Sequence, residues 1–165
     1  MDTVWVLGDQ LNRRTGALAA AQPDTTRVLM VESAAKITSK PFHRQRIHLI
    51  VTAMRRFAAE LERDGFAVDY RKEPGMAAGF EGHVRDHDPG TVRAAEPASR
   101  SATALLESLG VALVPDDRFL CHYTDFAEWA DGRTRLRLED FYRWQRRRLG
   151  YLMDGAEPVG GRWNY

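Results

Sequence analysis

Short apolar runs that stop abruptly at a turn or an acid, with helical periodicity between them, restrict the fold of this chain more than any other feature. Val4-Trp5-Val6-Leu7 ends at Gly8-Asp9, and Val28-Leu29-Met30-Val31 ends at Glu32. Runs this short and this uniformly apolar read as strands buried on both faces. Residues 66–70, with Phe66, Val68 and Tyr70 in alternation, add a third strand, and 91–95 and 111–114 add two more.

Helical spacing fills the gaps. After Pro41, the residues Ile47, Ile50, Val51, Met54, Phe57, Ala58 and Leu61 recur on one face, and Gly65 stands where a carboxyl cap belongs. Residues 98–109 form a second helix closed by Gly110, and weaker helical signals cover 77–86, 125–130 and 138–149. The β-α-β rhythm predicts an α/β fold: a doubly wound, Rossmann-like parallel sheet of about five strands with helices on both faces. After Pro115 the rhythm stops, so a helical and loop-rich C-terminal extension is expected. The division falls into 1–132, the α/β domain, and 133–165, a basic aromatic helix with the start of a connection.

Composition narrows the function. The 44% hydrophobic and 28% charged content is that of a globular domain, with 7 Phe, 5 Tyr and 4 Trp to anchor a core. No apolar run approaches the roughly 20 residues of a membrane span. The amino terminus enters a strand at once, so a cytoplasmic location is expected. The charge of +1, from 24 Lys and Arg against 23 acids, gives no global field for nucleic acid. A single cysteine, Cys121, offers neither an internal disulfide nor a thiolate cluster, and no metal site is expected. His83 and His87 stand four residues apart but lack an evident third ligand, so they are read as surface residues with His43, His48 and His122.

In an open parallel sheet, ligands bind beyond the carboxyl ends of the strands. Gly8-Asp9-Gln10-Leu11-Asn12, Glu32-Ser33-Ala34 and Glu96-Pro97 should therefore share one rim. The first turn lacks both glycine fingerprints for nucleotide phosphates, which argues against NAD and ATP. Glu32, placed directly after an apolar strand, needs either a cationic partner or a ligand N–H or hydroxyl. Lys36, Lys40, His43, Arg44 and Arg46 crowd the start of the long helix, where the dipole already favours anions. Between Arg133 and Arg148, seven Arg face two acids, and Arg143, Arg146 and Arg147 are candidates for DNA phosphate contact. The interleaved Phe141 and Trp144 read better as packing than as base stacking. No G-x-S-x-G elbow occurs, and no catalytic residue is assigned.

Val6-Leu7-Gly8-Asp9-Gln10-Leu11, His43-Arg44-Gln45-Arg46 leading into Thr52-Ala53-Met54-Arg55-Arg56-Phe57-Ala58, and Phe141-Tyr142-Arg143 through Gly150, Leu152-Met153, Gly155, Pro158, Gly160-Gly161 and Trp163-Asn164 resemble the photolyase-related proteins, the bacterial iron–sulfur branch of the cryptochrome and photolyase superfamily. The resemblance implies the N-terminal antenna domain of a light-driven DNA-repair or photoreceptor flavoprotein. It also implies a ribityl lumazine held by Gly8, Asp9, Gln10, Leu11, Glu32, Lys36, Arg44 and Ile50. The family pattern often has an acid where this chain has Lys36. FAD, the 4Fe–4S cluster and the photolesion surface are implied only for a helical C-terminal domain following about residue 165, which is the expected partner, with DNA reached through the parent protein. Two alternatives are a small α/β enzyme on a nucleotide- or flavin-like metabolite, using Asp9 and Glu32 as acid and base, and a DNA-binding module built on Arg146-Arg147-Arg148.

Overall fold

A computed structural model describes residues 1–164. Contacts divide the chain into two compact units, Met1–Arg118 and Phe119–Tyr165. The sequence places that boundary after residue 132. It falls earlier because 123–130 forms a helix whose Phe126 and Trp129 pack on Phe141 and Trp144 of the next helix. Aromatic burial, rather than the charge change at Arg133, sets the division.

The first unit is the expected α/β fold. Its strands are β1 (Asp2–Trp5), β2 (Thr26–Ser33), β3 (Ala67–Glu73), β4 (Val92–Ala95) and β5 (Ala112–Val114), all parallel in the order β3-β2-β1-β4-β5. Helices α1 (Gly16–Ala19), α2 (Ala34–Thr38), α3 (Arg44–Arg63), α4 (Met76–His87) and α5 (Arg100–Ser108) connect them. Sequence periodicity did not indicate α1 and α2, which have four and five residues and hence barely more than one turn.

Strand alternation sorts the side chains into two cores. Val4, Val6, Val28 and Met30 face Met54, Phe57, Ala58 and Leu61 of α3. Trp5, Leu7, Leu29 and Val31 point the other way, against Phe80 of α4 and Leu106 of α5. Trp5 stacks on Phe80 with ring centres 5.4 Å apart. Close approach of α4 requires Gly79: a Cβ there would lie 2.6 Å from Val31 Cγ1. Gly65 and Gly110 end α3 and α5 at φ +90° and +74°, in the left-handed region that favours glycine.

The second unit contains α6 (Tyr123–Ala130), α7 (Leu138–Leu149) and a small antiparallel pair, β6 (Met153–Asp154) and β7 (Glu157–Pro158). Helix α6 opens with a capping box: the His122 side chain accepts from the first turn while Asp125 accepts from the His122 N–H at 3.0 Å. Among the described residues, no helix is long and apolar enough to cross a membrane.

Candidate functional site

The ends of β1 and β2 converge on a single stretch of α3. Gly8 leaves β1 so close to that helix that a Cβ would sit 2.9 Å from Met54 Sδ and 3.7 Å from Ile50 Cγ2. One residue beyond Met54, Arg55 reaches the end of β2: its Nε donates to Glu32 Oε2 at 3.0 Å and its Nη2 to Oε1 at 2.8 Å. The Tyr70 hydroxyl donates to Oε2 at 2.8 Å. The cation partner foreseen for Glu32 is thus Arg55, joined by a phenol from β3.

These contacts fix the charge of the carboxylate. Burial pushes Glu32 up, but the hydrogen bonds from Arg55 and Tyr70 outweigh it and hold the group below its ordinary value. Burial and the neighbouring carboxylate push the Tyr70 phenol up to about 12. Glu32 is therefore an ionised acceptor at neutral pH, which makes it a poor general acid.

The rest of the rim is partly laced shut. Gln10, which is buried, donates from Nε2 to the carbonyls of Ala95 at 3.2 Å and Glu96 at 2.9 Å, tying the turn after β1 to the end of β4. Arg118 donates to the Asp9 carbonyl at 2.6 Å and pairs with Asp116. A cavity of about 10 Å³ lies between Gln10, Gly16, Ala95 and Arg118. That is water-sized. Asp9 itself is exposed, Leu11 packs on the α3 core, and Lys36 and Arg44 lie exposed on α2 and at the first residue of α3. Ile50 is 38% exposed, an apolar edge beside Gly8.

The reading of all five histidines as surface residues is corrected at His83, which is fully buried. Its Nδ1 lies 2.7 Å from Asp69 Oδ2 and its Nε2 lies 2.9 Å from Thr3 Oγ1. His87 Nε2 approaches the same Asp69 oxygen at 3.3 Å, and Arg71 Nε donates to it at 2.7 Å. Sequence reasoning missed Asp69 because it lies 14 residues from His83, on a strand read only for its apolar alternation. The available signal was that Asp69 and Arg71 occupy the other face of β3, which α4 covers. The order Thr3–His83–Asp69 has the geometry of a nucleophile, base and orienting acid, yet Thr3 is 1% exposed and no substrate reaches it.

The family model for deoxyribodipyrimidine photo-lyase-related protein matches residues 4–165. The chain belongs to this family. It is also similar to a (6-4) photolyase of Agrobacterium fabrum (strain C58 / ATCC 33970), 34% identical over an alignment of 174 positions that covers 98% of this chain and 34% of that protein. The chain thus spans about a third of the length of this curated relative.

In this family member the arginines of α7 have different surroundings from one another. Arg146 is 9% exposed. It donates to the Tyr151 carbonyl at 3.1 Å, the Trp163 carbonyl at 3.3 Å and the Tyr142 hydroxyl at 3.0 Å, and also to the Leu152 carbonyl. Most of the Arg146 donors are thus engaged within the unit, by three backbone carbonyls and the Tyr142 hydroxyl, which sets it apart from the other DNA-contact candidates on α7. Arg143 pairs with Glu139 at 2.8 Å, and Arg147 lies exposed over the Trp163 ring at 4.6 Å. Phe141 and Trp144 lie 5.0 Å and 6.3 Å from Trp129, so these aromatics pack within the unit.

Proposed function

We propose that this chain is the antenna and scaffold region of a photolyase-type flavoprotein of DNA repair or photoreception, with the rim of β1 and β2 holding a ribityl lumazine. What supports the reading most is a coincidence. The chain's family membership meets a rim where Gly8, Ile50, Met54, Arg55 and Glu32 gather.

The rim residues fit a flat polar heterocycle. Gly8 lets the turn after β1 pack directly on Met54, which brings its backbone close to Ile50. Exposed Ile50 supplies apolar contact. Among the described residues Glu32 Oε1 receives a hydrogen bond from Arg55, which leaves a lone pair for a ring N–H or a ribityl hydroxyl. When bound, the lumazine supplies light absorption and passes its excitation to a flavin. The protein's part is to hold and orient it: Arg55 and Tyr70 keep Glu32 ionised and aimed, and the α3 core beneath excludes water. FAD and the 4Fe–4S cluster belong, in this proposal, to a helical partner region. The lesion type would be set there too.

The test is a titration of purified protein with a ribityl lumazine, followed by its fluorescence. Saturable quenching or a spectral shift is expected, weakened by Glu32→Ala and strengthened by Lys36→Glu, which restores the acid of the family pattern. No binding by wild type or by Lys36→Glu at near-millimolar ligand overturns the proposal.

A further inference from the structure

We infer that Asp69, His83 and His87 form a site for a divalent metal ion of the zinc class, half-buried between α4 and β3 and separate from the lumazine rim. The three side chains place one ligand atom each within 4.8 Å of one another. A tetrahedral ion with bonds of about 2.0–2.1 Å requires ligand atoms roughly 3.3 Å apart. His87 Nε2 and Asp69 Oδ2 already stand 3.3 Å apart, and the 2.7 Å between His83 Nδ1 and Asp69 Oδ2 has to widen by only a fraction of an ångström.

The sequence spacing and the fold converge here. His83 and His87 are one turn apart on α4, so their imidazoles share a face, with ring centres 5.1 Å apart. Strand β3 places Asp69 beneath them. Two imidazoles and one carboxylate are the donor set of zinc-type ions, whereas magnesium and calcium demand oxygen.

Thr3 makes the buried ligand workable. Without metal, His83 shares a proton between Nδ1 and Asp69 while its Nε2 accepts from the Thr3 hydroxyl. With metal on Nδ1, that proton moves to Nε2 and the hydroxyl becomes the acceptor. A hydroxyl serves in both directions, so neither state leaves a buried imidazole nitrogen unpaired, and no net proton is released.

The neighbouring charges set selectivity and strength. Arg71 lies in space that a Cβ at Gly82 would fill, 2.5 Å from its Nη1, and it bridges Asp69 and Asp86 at 2.7 and 2.8 Å. Its guanidinium opposes a cation, and the Asp86 carboxylate offsets it. Asp86 in turn meets Arg85 at 3.2 Å on the exposed side. The side chain of His87 is 29% exposed, which gives the ion an entry path and leaves a coordination position for water. A site so balanced binds zinc reversibly, more weakly than a closed thiolate cage.

The experiment uses the whole chain, stripped with a chelator and then titrated with zinc sulfate against a chromophoric chelator. One ion per chain, a rise in melting temperature reversed by EDTA, and no response to magnesium are expected. Cobalt should give the intense visible bands of a tetrahedral N/O site. His87→Ala removes a partly exposed ligand without opening the core, and it should weaken zinc at least tenfold and abolish the cobalt bands. The same loss in His43→Ala and His48→Ala would place the ion on surface histidines and overturn the assignment. So would binding unchanged by His87→Ala, or no zinc binding by wild type. His83→Gln is a second variant, read by cobalt spectrum in whatever fraction remains folded.

Discussion

Arg55 and Glu32 meet through two hydrogen bonds of 2.8 and 3.0 Å across the gap between α3 and β2, although half of the arginine side chain is exposed. The pair ties the longest helix to the strand at the lip of the rim. Its contribution depends on the carboxylate being charged. The folded protein holds Glu32 below its ordinary value of 4.5, so the stabilisation is complete above that pH and is lost as pH falls through the folded value. Comparing the urea midpoints of wild type and Glu32→Gln should show a gap near neutrality that closes in acid. A gap constant from pH 7 to pH 3 contradicts the assignment.

Gly79 should resist substitution despite its place inside a helix. Alanine is the better helix former by about 1 kcal/mol, but its methyl would meet Val31 at 2.6 and 2.7 Å, and a buried branched side chain cannot swing aside. Gly79→Ala is expected to lose about 1–3 kcal/mol in chemical denaturation. Combining it with Val31→Ala should cost less than the sum of the two single changes. Additive losses would show that helix and strand do not meet there.

Arg146 and its neighbour Arg147 should behave oppositely. Arg146→Ala removes the charged donor shared by the carbonyls of Tyr151, Leu152 and Trp163, of which Leu152 and Trp163 keep the Val159 N–H and the Tyr142 hydroxyl, and a loss of about 1.5–3 kcal/mol in the second unit is expected from the broken charge-assisted bonds. Lysine cannot span those acceptors, so Arg146→Lys should not rescue. Arg147→Ala removes an exposed side chain and should stay within about 0.5 kcal/mol. Amide exchange at residues 150–159 reads both variants.

DNA binding by the isolated chain should be weak and without sequence preference. With Arg146 spent internally, Arg143 and Arg147 are left among the candidates on α7, and phosphate contacts of this kind release counterions and read no bases. Arg147→Ala should lower the dependence of log affinity on log salt by at most about one unit. A footprint that survives high salt contradicts this.

The sheet was legible because its strands are buried on both faces and leave runs such as 28–31 that no amphipathic helix would produce. Helix α7 was read to the residue, since its aromatic spacing and Gly150 coincide. The rim was legible as a place, because chain order and strand direction put Gly8 and Glu32 on one edge. Its pairings were not, since Arg55 lies 23 residues from Glu32 and carries no local sign of its role. Asp69 was hidden for a different reason. On a strand whose apolar side chains, Val68 and Tyr70, all serve the α3 core, the polar face looks solvated until α4 is known to cover it.

Strand β1 is the middle of the sheet and precedes both of its neighbours in the chain, paired with β2 on one side and with β4, which begins at Val92, on the other. During synthesis, therefore, β3, β2 and β1 are complete while the outer edge of β1 has no neighbour, and that edge stays open until β4 has emerged. A ribosome-bound nascent chain that ends before Val92 displays the edge of Thr3 to Trp5 to anything that pairs with strands. Chaperone dependence and inclusion-body formation should accordingly respond to the translation speed of codons 75–91, the stretch that precedes β4.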